Sequence, residues 1–230
     1  MEKFLCKIDS KVIDDLNNQI SNNRVLNWAP DYNNQAGISF ENLSYILDYW
    51  KNKFSWTKEE KKLNKFNQFL FEYDNVKTHF LHIKSNQKNS IPLLLIHGWP
   101  GSIFEFNDLI PLLTSPDKNS LKDCQAFDLI IPSLPNVGFS FSPQQKPLDL
   151  TEISSHFIML MKTLGYKKYF IQGGDLGSFV ASIMAVNVPN EVMGIHLNLL
   201  PLPRGLNKKP DNIEEESYYE KVKYFMKHEG

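Results

Sequence analysis

The feature that most constrains the fold of this 230-residue chain is an alternation of continuous apolar runs with helical patterns from residue 93 onward. Runs that are apolar at nearly every position are typical of strands buried on both faces, as in a parallel sheet covered by helices. The pattern therefore predicts an α/β fold with a mostly parallel sheet and helices on both faces. The predicted strands are 93–96, 127–131, 169–171 and 192–199, and the predicted helices are 103–113, 153–164 and 178–186.

A different pattern precedes this region. Residues 1–67 predict an N-terminal helical meander joined by polar loops, in which Ser39 stands as a cap before apolar residues at helical spacing. Thr57 and Glu60 have the spacing of a capping box, which predicts that another helix begins there.

The dipeptide Asp74-Asn75 separates two runs of alternating residues and predicts a β-hairpin at the entry to the sheet. We therefore divide the chain into the helical segment at 1–67, an α/β core at 68–202 and a last segment at 203–230.

Charge and cysteine usage exclude several classes of function. The formal net charge is −1 and no long run of one sign occurs, which argues against a nucleic-acid or polybasic membrane surface. Cys6 and Cys124 form no Cys-x-x-Cys motif, and His79 and His82 face opposite sides of a predicted strand. Signal-peptide and membrane-spanning runs are missing from the sequence. We expect a cytoplasmic protein without metal, cofactor, nucleic-acid partner or membrane anchor.

The most informative motif is Gly173-Gly174-Asp175-Leu176-Gly177, between a predicted strand and a predicted helix. A nucleophile elbow needs small residues two before and two after the nucleophile, because the turn brings strand and helix into contact. Gly173 and Gly177 meet this requirement, and Asp175 then stands at a helix N-terminus, which favours its anionic form.

Two other interpretations of this motif exist. Asp175 alone could be an ordinary helix cap, and the five residues leave that interpretation open. A dinucleotide-binding turn also joins a strand to a helix through glycines, but Gln172 occupies the position of its first glycine.

A second motif, His97-Gly98-Trp99-Pro100-Gly101-Ser102, directly follows the first predicted core strand. Glycine lets the backbone bend and Pro100 restricts one torsion, so the loop can direct a backbone N–H toward a developing oxyanion. We interpret His97 as a structural histidine bonded to the backbone, since it lies in this loop and not at the position of a base.

A third motif, Pro132-Ser-Leu-Pro135 followed by Gly138-Phe139-Ser140, comes after the predicted strand at 127–131. With these three motifs, the chain resembles the epoxide hydrolase family of the α/β-hydrolase fold. The resemblance is strongest to the microsomal and juvenile-hormone type with its soluble bacterial relatives, and it extends over almost the whole chain. The N-terminal helical meander, the hairpin and the Leu164-Gly165-Tyr166 run before the elbow also match.

The sequence departs from that family in three places. Asn136-Val137 replaces the usual Gly-Tyr, and Leu176 replaces the usual Trp after the nucleophile. The family also continues beyond Gly230 with a helical lid, two more strands, an acid and a histidine. We therefore expect 203–230 to be the start of the lid, with the lid itself and the last strands absent.

The resemblance implies that Asp175 attacks an epoxide carbon to form an alkyl-enzyme ester, with the backbone N–H groups of Trp99 and Leu176 as the oxyanion hole. Gly173, Gly174, Gly177, His97, Gly98 and Pro100 would supply the elbow and loop geometry. The lid tyrosines, the base histidine and its acid have no matching positions. The expected substrate is a small hydrophobic epoxide, and the chain alone is expected to be inactive in turnover.

Two alternatives remain from the sequence. A haloalkane dehalogenase shares the aspartate nucleophile but resembles this chain less, because its halide-binding Trp would stand where Leu176 is. A non-catalytic remnant or binding module would lack a base and would expose the strand at 192–199 as an apolar edge, which favours self-association or pairing with a missing carboxyl-terminal part.

Overall fold

The structure, a computed structural model, describes residues 1–23, 37–116, 124–200 and 209–228. One sheet of seven strands lies at its centre, in the spatial order β1-β2-β3-β5-β4-β6-β7. The strands are β1 Glu2–Phe4, β2 Gln68–Tyr73, β3 Val76–Ile83, β4 Ile91–Ile96, β5 Phe127–Pro132, β6 Tyr169–Gly173 and β7 Val192–Leu197.

Four neighbouring strands, β5, β4, β6 and β7, are joined by parallel pairing, whereas β1, β2 and β3 continue the sheet by antiparallel pairing. Since β2 runs in the same direction as β5, five of the seven strands point the same way. The prediction of a mostly parallel sheet with a hairpin at its entry is confirmed. Asp74 and Asn75 both have positive φ, 52° and 60°, as a two-residue type I′ turn requires.

Seven α-helices accompany the sheet in the described residues. They are α1 Ser10–Ser21, α2 Phe40–Asn52, α3 Trp56–Leu63, α4 Leu109–Thr114, α5 Leu150–Thr163, α6 Leu176–Asn187 and α7 Ile213–His228. Ser39 caps α2 as predicted, because its side chain accepts a hydrogen bond from the backbone N–H of Asn42.

The predicted start of α3 is wrong by two residues, because the N-cap is Ser55 and not Thr57. The helix begins at Trp56 after Ser55, and no capping box forms at Thr57. The Glu60 carboxylate that such a box requires instead accepts hydrogen bonds from the Trp56 indole and from the backbone N–H of Ile8. Glu60 thus attaches the N-terminal chain to α3.

The predicted helix over 103–113 is divided in two. A 3-10 helix covers Ile103–Phe106, and α4 begins afresh at Leu109. Pro111 explains the division, because proline lacks the N–H of a helix interior but is tolerated in a first turn.

The strand β1 was not among the predicted elements, since three residues carry too little periodicity. It forms because its backbone pairs with β2, with Lys3 opposite Phe69. Behind it, Cys6 donates its backbone N–H to the Asn64 side-chain oxygen, whose amide nitrogen donates back to the Cys6 carbonyl. The N-terminal segment therefore contributes both a strand and helices.

Two apolar clusters cover the two faces of the sheet. One includes Ile171 with Phe157 of α5 and Met184 of α6. The other includes Leu95 with Leu63 of α3 and Ile110 of α4. The loops at the carboxyl ends of β4, β5 and β6 emerge between these clusters, at one end of the parallel strands.

Two buried histidines lie within the sheet region and are neutral at pH 7. His79 contacts Ser133 and Gln68, and His156 contacts Thr78, each through ring nitrogens at 3.0 Å. Burial lowers the pKa of each histidine to about 4, far below the ordinary 6.5. Both are structural histidines.

This burial predicts loss of stability on acidification. Between pH 6.5 and pH 4 the unfolded chain binds protons at these two sites and the folded chain does not. The free energy of unfolding therefore decreases as the pH is lowered. Each histidine is expected to contribute a loss of up to about 3 kcal/mol across this window. Urea denaturation at a series of pH values measures the loss.

His156→Gln should make the pH dependence shallower, because one of the buried histidines with a lowered pKa is removed. His196→Gln is the matched control, since the His196 side chain is exposed. Unfolding free energies that stay level from pH 7.5 to pH 4 in the unsubstituted chain would contradict the assignment of two neutral, buried histidines.

The outer side of the sheet at β7 is open within the described ranges, where β7 pairs with β6 alone. Met193 and Ile195 are exposed there. Among the described residues, no helix has the length and apolar character needed to cross a bilayer.

Candidate functional site

Asp175 lies in the turn between β6 and α6, at the carboxyl end of the parallel strands. Its backbone has φ 49° and ψ −122°, a conformation that residues with a side chain seldom adopt. Its side chain is exposed and does not cap α6. The interpretation of Asp175 as an ordinary helix cap therefore does not fit the structure.

The tightness of this turn explains two of its three glycines. A Cβ on Gly173 would collide with the Gly177 carbonyl group, and one on Gly177 with the Ile96 carbonyl group. At Gly174 a Cβ would meet only the Asn198 side chain at 3.6 Å, an ordinary contact. Gly173 and Gly177 are thus required by space, and Gly174 is not. Helix α6 begins at Leu176, two residues before its predicted start at Ser178.

The loop after β4 reaches the same place because β4 and β6 are neighbours, with Ile96 opposite Gly173. Gly174 donates its N–H to the Ile96 carbonyl at 3.3 Å. A Cβ on Gly98 would lie 2.5 Å from Asp175 Cβ. The loop can approach Asp175 this closely because residue 98 is glycine.

The Trp99 backbone N–H donates a hydrogen bond of 2.8 Å to Asp175 Oδ1. This N–H, and to a smaller extent that of Leu176, lowers the pKa of the Asp175 carboxyl below its ordinary value. The carboxylate is therefore ionised at neutral pH. These are the same two backbone N–H groups that the family resemblance implies.

The Trp99–Pro100 peptide is cis, and the Trp99 side chain is 63% exposed. Ser102 and Glu105 close the loop with a capping box at the start of the 3-10 helix. The loop therefore presents a backbone N–H to Asp175 and an aromatic surface beside it.

His97 does not contact Asp175. Its buried ring lies on the other side of the loop, where Nδ1 is 2.8 Å from the Gly98 carbonyl oxygen and Nε2 accepts the Leu134 backbone N–H at 3.0 Å. Burial lowers the pKa of His97, which keeps the ring neutral. The predicted structural role is consistent with these contacts.

The contact with Leu134 was not anticipated from the sequence. It joins the loop after β4 to the loop after β5, where Ser133 and Ser140 bond to each other and to β3. The sequence contains both motifs as separate segments, and the pairing of β4 with β5 brings them together.

This arrangement supplies an exposed, ionised carboxylate held by backbone N–H groups, which is suited to nucleophilic attack. In the described part of the chain, no histidine is hydrogen-bonded to Asp175, and no group of three His, Cys, Asp or Glu side chains could hold a metal ion. In the described residues, the Asp175 carboxylate thus lies against the backbone N–H groups of Trp99 and Leu176 and has no histidine partner.

Two sequence-family models match the chain. The "Epoxide hydrolase N terminus" family matches residues 1–106, and the "alpha/beta hydrolase fold" family matches residues 91–220. Together they include every element described above except the end of α7.

The curated relatives that match this chain are also named as epoxide hydrolases. Epoxide hydrolase 1 of Sus scrofa is 36% identical over 200 residues, 85% of this chain and 44% of that protein. A putative epoxide hydrolase of Stigmatella aurantiaca (strain DW4/3-1) is 38% identical over 193 residues, 84% of this chain and 44% of that protein. The chain therefore spans less than half the length of the curated relatives that it matches.

Solved structures agree in fold. The Aspergillus niger epoxide hydrolase superposes with a TM-score of 0.79 at 30% identity, over 98% of this chain and 60% of that one. The juvenile hormone epoxide hydrolase of Bombyx mori gives a TM-score of 0.76 at 34% identity, over 86% of this chain and 52% of that one. From the sheet, the elbow and these matches, the chain belongs to the epoxide hydrolase family of the α/β-hydrolase fold.

Proposed function

We propose that Asp175 opens an epoxide by forming an ester with one of its carbons, which is the first half of epoxide hydrolysis. The observation that carries this proposal is the hydrogen bond from Trp99 N–H to Asp175 Oδ1, on an exposed carboxylate at a tight strand-to-helix turn. The relatives' names supply the substrate class, since they are called epoxide hydrolases.

The reaction follows from the two oxygen atoms of the carboxylate. Oδ1 is engaged by Trp99 N–H, so Oδ2 is the oxygen that attacks the epoxide carbon. The ring C–O bond breaks, the epoxide oxygen leaves as an alkoxide that takes up a proton, and Oδ1 becomes the carbonyl oxygen of the ester.

The second half would hydrolyse this ester. When water adds to the ester carbon, negative charge develops on Oδ1, where the N–H groups of Trp99 and Leu176 already act. One such donor is typically worth roughly 2.7–4 kcal/mol of transition-state stabilisation. The water also needs a base, and loss of a general base typically costs about 10² to 10⁴ in rate. For this chain alone we propose ester formation without turnover.

Intact-mass spectrometry tests the proposal. Incubation of the purified chain with a reactive terminal epoxide such as styrene oxide is expected to add the mass of one epoxide per chain, and the chain should not release the diol. No adduct would contradict the nucleophile. Steady diol release would contradict the absence of a base.

Haloalkane dehalogenation is the second candidate, since an aspartate ester also forms in that chemistry. Leu176 lacks the indole N–H that would hold a leaving halide, so we propose an epoxide over a halide as the electrophile. Incubation with a chloroalkane distinguishes the two, because halide release without epoxide labelling would favour the dehalogenase.

Within the described residues, the unpaired side of β7 leaves a surface that a partner of this chain would cover. A cavity of about 570 Å³ lies beside it, lined by apolar side chains of β4, β6 and α4 such as Leu93, Phe170 and Leu109. Parallel sheets are normally covered on both faces. We propose that self-association, or pairing with a further part of an epoxide hydrolase fold, covers this surface. A cytoplasmic location also stays a prediction.

A further inference from the structure

The peptide unit between Gly98 and Trp99 is held at both ends. Its carbonyl oxygen lies 2.8 Å from His97 Nδ1, and its N–H donates to Asp175 Oδ1 at 2.8 Å. This peptide is trans, so its C=O and N–H point in opposite directions. Whatever fixes the direction of the carbonyl group therefore also fixes the direction of the N–H.

The proton on His97 is placed by a third group. Leu134 donates its backbone N–H to Nε2, so Nε2 must carry the lone pair. A neutral ring then carries its proton on Nδ1, and Nδ1–H donates to the Gly98 carbonyl. An uninterrupted series of hydrogen bonds thus leads from the loop after β5, through the imidazole and one peptide unit, to the Asp175 carboxylate.

Gly98 makes this restraint necessary. Glycine rotates more freely than other residues, and this position must be glycine because a Cβ would collide with Asp175. If the peptide flipped, the Gly98 carbonyl oxygen would face the carboxylate and repel it. Without a hydrogen bond that fixes the Gly98 carbonyl group, the Trp99 N–H would lie close to Asp175 but would not be held in the direction of its carboxylate.

We propose that His97 is a positioning residue, whose Nδ1–H holds the Gly98 carbonyl and so aims the Trp99 N–H at Asp175. The proposal rests on the proposed function only in its consequence for ester formation. The hydrogen-bond geometry that carries it is independent of any substrate. It assigns His97 a role beyond anchoring the loop.

The histidine tautomer can be read in the unsubstituted chain. Nitrogen-15 NMR of His97 is expected to show a neutral ring with the proton on Nδ1 at pH 7. A ring protonated on Nε2 would overturn the proposal, because Nδ1 could not then donate to Gly98. This measurement does not depend on any variant folding.

Two variants separate the two hydrogen bonds of the ring. The amide nitrogen of asparagine reaches the place of Nδ1, whereas the amide of glutamine reaches the place of Nε2. His97→Asn therefore keeps a donor for the Gly98 carbonyl, and His97→Gln keeps a partner for Leu134. A role confined to anchoring the loop predicts that His97→Gln is the milder change, and positioning predicts the opposite.

The readout is the pKa of Asp175, followed by carbon-13 NMR of its carboxyl group, together with the rate of epoxide labelling. In His97→Asn the pKa of Asp175 should stay lowered, and labelling should keep most of its rate. In His97→Gln the pKa should rise toward its ordinary value, and labelling should slow by about tenfold, the factor for loss of one ordinary hydrogen bond.

Equal effects of the two variants, or a pKa of Asp175 unchanged in His97→Gln, would overturn the positioning role. If the unsubstituted chain shows the expected tautomer and pKa pattern but no epoxide labels it, the proposed function fails and the role of His97 stands. Thermal denaturation of each variant shows whether a lost rate follows lost stability, which would also count against positioning.

Discussion

Replacing Asp175 by asparagine is expected to abolish the covalent adduct with an epoxide. An amide oxygen carries no charge and is a far weaker nucleophile than the carboxylate, whose pKa is lowered by the backbone N–H groups of Trp99 and Leu176. The shape of the site should persist, since the Asn side-chain oxygen can still accept the Trp99 N–H and Asn is among the residues found at positive φ. Intact-mass spectrometry after incubation with the epoxide measures the loss.

Asp74→Asn is the matched control for this change. Asp74 also has positive φ, 52°, and is exposed, but it lies in the hairpin turn far along the chain from the elbow. Labelling should be undiminished in this variant. Undiminished labelling in Asp175→Asn would instead show that another residue reacts.

Gly177→Ala is expected to have the largest effect on the fold. Its new Cβ would collide with the Ile96 carbonyl group and lie 3.0 Å from the His97 carbonyl oxygen, both of which are backbone atoms that cannot rotate away. Helix α6 and strand β4 must separate, at a cost typical of overpacking, about 1–3 kcal/mol or more. Urea denaturation near pH 7.5 gives the loss in unfolding free energy.

Gly174→Ala provides the comparison within the same turn. A Cβ there meets only the Asn198 side chain at 3.6 Å, so the unfolding free energy should change little. Similar losses in the two variants would mean that the turn is generally intolerant of side chains, and would contradict the assignment of the close contact to Gly177.

The elbow could be predicted from the sequence because its requirements are local. A tight turn between strand and helix demands glycine at set positions, and Gly173 and Gly177 occupy them. The strands β4, β5 and β6 were predicted for a similar reason, since burial on both faces leaves an unbroken apolar run. The contact between Trp99 and Asp175 follows from the pairing of β4 with β6 in the structure.

Other features depend on partners distant in the sequence. The capping-box pattern at Thr57 was misleading because Glu60 bonds to Trp56 and Ile8, and residue 8 is 52 positions away. The contact between His97 and Leu134 spans 37 positions. Periodicity cannot indicate such bonds, since it reports which face of an element is buried and not which polar groups meet.

The division of the predicted helix over 103–113 has a different cause. Pro111 was visible in the sequence, and the rule that excludes proline from a helix interior would have placed a new helix start shortly before it. The prediction of a single helix followed the apolar spacing, whereas the structure follows the position of Pro111.

The central claim is that the Asp175 carboxylate itself attacks the epoxide. Tandem mass spectrometry of peptides from the epoxide-treated chain tests it most directly, by locating the added mass. We predict one epoxide equivalent on Asp175 as an ester that hydroxylamine cleaves. An added mass on another side chain, with Asp175 unmodified, would contradict the claim.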